Sequence, residues 1–331
     1  MVSSTARKAL RWTGKTLLWL VIVLLVFGAC GAVYQNVATR RAERDYPPPG
    51  QMVNVGGYSL HINCVGRGSP TVILDGGTGE ISANWGLVQR EVSRTTRVCS
   101  YDRAGMGWSE QGPEPRDARR ITSELHTLLA GAGIEGPYVL AGHSFGGLYM
   151  QYYAARYPDE VAGMSLIESS HPGQFGYSSV ARDSYEPPTR VPSVASLLAR
   201  TGAVRLFYKA FPASADLPPE QRAQIDALAP STRQLDTIAL ELRATPQTVT
   251  QARRLISLGD RPLAVVSAGT QEPEWLGLQD ELATLSSSST HRVVKGATHM
   301  SVLDDRDDAR ATSAALDEVV RAVREDRPPA R

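Results

Sequence analysis

The sequence predicts an α/β domain with a mostly parallel central sheet, helices on both faces and an inserted helical cap, preceded by one transmembrane helix. Three observations predict it. Short apolar runs alternate with stretches of helical spacing, the pattern of strands buried between covering helices. The strand signal stops between His171 and Asp260. A charge-free apolar run stands near the N-terminus, ahead of the first strand.

That apolar run is Leu17 to Val33, LLWLVIVLLVFGACGAV, with neither charge nor proline. At roughly 1.5 Å per residue it approaches the hydrocarbon thickness of a bilayer. Arg7, Lys8, Arg11 and Lys15 precede it and argue for a cytoplasmic N-terminus, a bias that Arg40, Arg41 and Arg44 weaken. The expected organisation is a basic N-terminus over residues 1–16, a transmembrane helix over 17–34 and a polar, proline-rich spacer over 35–51. An uncleaved single-pass anchor in the cell membrane, with the folded domain outside the cytoplasm, is the favoured reading. A cleaved signal peptide, a lipoprotein cysteine at Cys30 and a buried core helix are the alternatives. Trp12 and Trp19 are placed to anchor the helix at the interface. Tyr46-Pro47-Pro48-Pro49-Gly50 favours a stiff, extended end to the spacer.

Residues 52–331 form the domain, with the cap at about 172–260. Met52–Val55 and Tyr58–Val65 flank Gly56-Gly57 as a hairpin. Thr71–Leu74, Arg97–Tyr101, Tyr138–Ala141, Gly163–Ile167, Leu263–Ala268 and Arg292–Val294 are short apolar runs that read as strands. Ile121–Ala130, Leu148–Tyr157 and Thr312–Val323 carry helical spacing. Within the cap, Glu220–Leu228 and Leu235–Ala244 read as helices, and their apolar content argues against a disordered loop.

Composition narrows the function. With 35 basic and 34 acidic residues the net charge is +1, without the basic excess that a nucleic-acid binder needs. Cys30, Cys64 and Cys99 form no CxxC pair and no zinc-spaced cluster with histidine, so no metal site is expected. No tandem repeat is present.

Gly142-His143-Ser144-Phe145-Gly146 has the form Gly-x-Ser-x-Gly and sits between a strand and a helix. A sharp strand-to-helix turn brings backbone too close for side chains at the flanking positions and aims the serine outward above a helix N-terminus. Together with TVILDGGTG, RVCSYDRAGMGWS and VVKGATHMSVLD, the segment PYVLAGHSFGGL makes residues 53–323 resemble the α/β-hydrolase superfamily, in particular a bacterial branch with an N-terminal membrane helix.

The resemblance implies Ser144 as nucleophile and His299, on the loop after the last strand, as its base. The acid stays open between Glu168, after the strand ending at Ile167, and Glu272, after the strand ending at Ala268, with Glu274 or another group as the remaining alternative. The oxyanion donors by position are the backbone N–H groups of Phe145 and Gly77, with Thr78 able to substitute. Asp75 stands where many relatives have histidine, and Asp102, Arg103 and Ser109 read as braces for their loop. The resemblance also sets Cys64 beside Cys99 on neighbouring strands, as a disulfide or as two buried thiols.

A serine nucleophile excludes the aspartate-dependent relatives. The implied activity is hydrolysis of an ester or related small-molecule acyl substrate through an acyl-serine, without a cofactor. A catalytically silent binding module and an acyltransferase on the same fold are the alternatives. The implied partners are the acyl substrate and the lipid bilayer, with no nucleic acid.

Overall fold

The computed structural model describes residues 4–174 and 196–325, with side chains from Trp12 onward. The part of the expected cap at 175–195 lies outside the described residues.

Helix α1 (Ser4–Asp45) contains the whole apolar run and is long and apolar enough to cross a membrane. It continues through most of the expected spacer, because Ala38, Arg40, Arg41, Ala42 and Glu43 all favour helix and no breaker precedes Pro47. The extended segment is only the short stretch that follows. It is pinned where the Trp108 indole N–H donates to the Tyr46 carbonyl at 2.8 Å and the His61 ring contacts the Pro49 carbonyl.

Eight strands form one sheet: β1 (Gln51–Asn54), β2 (Ser59–Val65), β3 (Thr71–Asp75), β4 (Val98–Tyr101), β5 (Tyr138–His143), β6 (Val161–Ile167), β7 (Leu263–Ala268) and β8 (Ser289–Val294). Their order is β1-β2-β4-β3-β5-β6-β7-β8; β1 with β2 and β2 with β4 are antiparallel, and all other pairs are parallel. Gly56 and Gly57 turn the β1–β2 hairpin at φ +115° and +105°, values open to glycine.

Side chains alternate across the pleat. Ile73, Leu140 and Leu166 pack on one face, whereas Val72, Leu74, Val139 and Ala141 pack on the other. The helices concerned are α2 (Gly86–Val92), α3 (Ala118–Gly131) and α4 (Gly146–Arg156). Helices α3 and α4 cover the first face with Ile121, Leu125, Leu148 and Tyr152, and α2 covers the second with Val88 and Val92.

Between β6 and β7 lie the cap helices α5 (Ala203–Ala210), α6 (Pro219–Leu228), α7 (Thr232–Arg243) and α8 (Thr245–Ala252). Helix α9 (Pro273–Ala283) follows β7, and α10 (Ser301–Asp304) and α11 (Arg306–Glu325) close the domain. Leu316 and Val319 of α11 join the second face.

Cys64 and Cys99, paired across β2 and β4 with Cα atoms 4.0 Å apart, are joined in a disulfide. The sequence separation is 35 residues. Closing a loop of that size removes denatured-state entropy equivalent to about 4 kcal/mol. The Cys64→Ser/Cys99→Ser protein is therefore expected to lose roughly 3–4 kcal/mol of unfolding free energy, read as a lower urea midpoint against the unreduced parent.

Candidate active site

Strand β5 ends and α4 begins around Ser144, which is held at φ +51°. A non-glycine residue in that region carries roughly 1–2 kcal/mol of strain. The surrounding backbone enforces it. A Cβ on Gly142 would come within 2.6 Å of the Gly147 Cα, and one on Gly77 within 2.9 Å of the Ser144 Cβ. The turn thus needs its glycines, and the loop after β3 lies directly against the serine.

His299 stands on the loop between β8 and α10, with its Nε2 3.0 Å from the Ser144 Oγ. Its Nδ1 is 3.1 Å from Oε2 of Glu168. Glu168 is fully buried at the end of β6 and, like Ser144, has positive φ, at +44°. Its carboxylate also accepts the Ala268 N–H at 2.6 Å, the Gln271 amide at 2.5 Å and the Trp275 indole N–H at 3.2 Å. Burial alone would raise this carboxyl; the His299 hydrogen bond and these donors outweigh burial and hold it below its ordinary value of 4.5. An ionised carboxylate only accepts, so the proton of a neutral imidazole sits on Nδ1 and the Nε2 lone pair faces the serine hydroxyl.

Of the two glutamates expected to compete, the structure brings Glu168 to the histidine and leaves Glu272 out. Glu272 is exposed at the start of α9, where the chain after β7 turns away into that helix. The residues after β7 that do reach the site are Gln271 and Trp275. Neither was anticipated, since nothing in their local sequence marks them.

A depressed carboxyl contributes stability that is complete above its unfolded value and is lost as pH falls through its lower folded value. The parent protein should therefore exceed Glu168→Gln in unfolding free energy at neutral pH. That gap should narrow on acidification below 4.5. Urea titrations between neutral pH and about pH 3 check this.

The loop after β3 departs from expectation at Gly77. Its N–H donates to Oε2 of Glu80 at 2.6 Å, because the glutamate three residues on folds its side chain back over the turn. The Gly77 N–H is therefore not presented to a substrate in this structure. The Thr78 N–H meets no acceptor among the described residues.

The other carboxylate oxygen of Glu80 lies 2.7 Å from Nδ1 of the buried His143, a charge contact rather than an aligned hydrogen bond. Burial opposes charge on both groups, yet their mutual attraction prevails: His143 is raised and Glu80 is lowered from their ordinary values. His143 Nε2 contacts the His299 carbonyl at 2.9 Å, so this pair ties the histidine loop to the loop after β3.

Arg103 braces the same loop from below. Its guanidinium donates to Asp75 at 2.7 Å and to the carbonyls of Gly76 and Gly77 at 2.7 and 2.8 Å. It also donates to Glu241 of cap helix α7 at 2.9 Å. Burial pushes Asp75 up to about 6 against the pull of Arg103. Asp102 accepts the N–H groups of Ser82 and Trp108 and contacts His61 at 2.9 Å, a structural knot under the site.

A family model described as alpha/beta hydrolase family matches residues 69–313. An uncharacterized protein of Schizosaccharomyces pombe is 32% identical over 153 residues, 37% of this chain and 28% of the relative. The chain spans 20–49% of the length of the first four curated relatives it matches. Among solved structures, a thermophilic esterase from Thermogutta terrifontis superposes with a TM-score of 0.63 at 18% identity, covering 82% of this chain and 98% of that one. The Cif epoxide hydrolase from Acinetobacter nosocomialis superposes with a TM-score of 0.68 at 14% identity, covering 87% and 96%. At these identities the likeness is one of fold.

Proposed function

The chain belongs to the alpha/beta hydrolase family, and from that membership we propose that it is a membrane-anchored serine hydrolase that cleaves an ester or related acyl substrate through an acyl-serine intermediate. The observation that carries this reading is the unbroken line of contacts from Ser144 Oγ through His299 to buried Glu168.

In this reading His299 Nε2 takes the hydroxyl proton as Ser144 Oγ attacks the substrate carbonyl, and Glu168 stabilises the resulting imidazolium. The tetrahedral oxyanion is met by the N–H of Phe145 and by that of Thr78, while Glu80 keeps Gly77 in place. The imidazolium then protonates the departing alcohol. Water, deprotonated by the same histidine, attacks the acyl-serine and releases the acid. Arg103 and the Glu80–His143 pair position the loop and touch no reacting atom.

Helix α1 serves as the anchor. Its preceding basic residues favour a cytoplasmic N-terminus, and the Cys64–Cys99 disulfide fits a domain on the oxidising side of a cell membrane.

One observation favours the silent-module alternative: the Glu80 carboxylate occupies a backbone donor beside the nucleophile. Pre-steady-state turnover of p-nitrophenyl butyrate by the full-length protein in detergent separates the two. Serine hydrolysis predicts a nitrophenolate burst of about one equivalent per chain, followed by slower turnover. A folded protein with neither burst nor turnover, across short- and long-chain esters, would support the silent module. Added alcohol acceptors in the same assay reveal acyl transfer as a new ester product.

A further inference from the structure

Helix α5 is amphipathic in the wrong sense for water. Its buried positions include Arg205, 5% exposed, and the half-buried Tyr208, while Leu206 and Phe207 point outward at 58% and 60% exposure. Phe211, just beyond the helix, is 67% exposed and lies against Phe207 with ring centroids 4.9 Å apart and planes tilted by 36°. Leu197 and Leu198, one turn before the helix, are exposed to 63% and 46%. A cap surrounded by water would reverse this arrangement, since apolar side chains gain by leaving water.

The same segment is fastened to α1 where the apolar run ends. Gly31 abuts the Thr201 carbonyl closely enough that any side chain there would collide with it. A Cβ on Gly202 would lie 2.7 Å from the Tyr34 ring. Arg205 donates to Gln35 at 3.1 Å and to Thr39 at 3.2 Å, and the Lys209 ammonium sits 5.6 Å from the Tyr34 ring centroid. Residues 31–39 cover roughly 12 Å along a helix axis, from the last apolar turn to the first arginines, Arg40 and Arg41. The cap segment is thus held at the level where hydrocarbon gives way to headgroups. Lys209 adds a basic group at the rim that suits an anionic lipid surface.

We propose that the face formed by Leu197, Leu198, Leu206, Phe207 and Phe211 is a second membrane contact, seated in the phospholipid interface beside α1. The inference rests on α1 being the anchor. It makes the cap a monotopic element, so that its side facing α1 is fixed against the bilayer. The same cap carries Gln234, which donates to the Gly79 carbonyl of the loop beside Ser144, and Glu241, which accepts from Arg103 beneath that loop.

The test uses the full chain in unilamellar vesicles of phosphatidylcholine and phosphatidylglycerol, with Cys30→Ser as background and the Cys64–Cys99 bridge kept oxidised. An environment-sensitive fluorophore is placed on Phe207→Cys and, separately, Phe211→Cys. Leu24→Cys reports the span and Ile256→Cys, at an 87% exposed position, reports the domain surface. Nitroxide-labelled phosphatidylcholine should quench most of the emission at positions 24, 207 and 211 and leave position 256 to an aqueous quencher. Lipid quenching at 24 with aqueous quenching at 207 and 211 would overturn the inference while leaving the anchor intact. Protection of 207 and 211 from both quenchers would overturn it in favour of a protein partner, such as a second copy. Absence of lipid quenching at 24 would remove the anchor and the inference with it.

Discussion

His299→Ala is expected to lower kcat/KM for an ester by about 10⁶-fold, as large a loss as Ser144→Ala. Without the imidazole at 3.0 Å, the Ser144 hydroxyl has no acceptor for its proton and remains a weak nucleophile. The two residues act as one unit, so the double variant should be no slower than either single one. Steady-state kinetics on the three proteins check this, with circular dichroism showing that each is folded. An His299→Ala enzyme retaining more than about a hundredth of the parent rate would remove the histidine from the role of base.

The second large effect separates the two glutamates. Glu168→Gln should lower kcat/KM by about 10⁴-fold. Its amide can donate to Nδ1 as readily as accept from it, which stabilises the tautomer whose Nε2 proton faces Ser144 and cannot receive another. Glu272→Gln should stay within about twofold of the parent, as expected of an exposed charge. Kinetics of the two single variants decide the assignment. Equal losses, or a loss confined to Glu272→Gln, would mean that the loop after β7 rearranges to bring Glu272 to the histidine.

Much of this was legible in the sequence because it depends on local rules. The serine turn is written in glycines whose absent side chains the backbone contacts at Gly142 and Gly77 explain. All but one of the expected strands begin and end within two residues of an observed one, since apolar runs buried on both faces suit a parallel sheet covered by helices. The exception is β8, which begins at Ser289 in a polar stretch at the sheet edge, ahead of the apolar residues that marked it.

What was not legible depends on distance or on side-chain direction. Glu168 and Glu272 both follow strands, and only the positive φ at Glu168 and its donors Ala268, Gln271 and Trp275 show which carboxylate faces the histidine. Gly77 has the right position for an oxyanion donor, but its N–H is claimed by a glutamate whose direction no spacing rule predicts. The bond from Arg103 to Glu241 joins residues 138 positions apart. The helical course of residues 35–45 was hidden because polarity and a following proline cluster mark a spacer and a polar helix alike.

The central claim, an activated Ser144, is tested most directly by incubating the full-length protein in detergent with a fluorophosphonate and weighing it intact. One phosphonyl adduct per chain is expected, located by peptide mapping on Ser144, absent from Ser144→Ala and strongly slowed in His299→Ala. A folded parent that takes up no adduct, or an adduct that persists in Ser144→Ala, would contradict it.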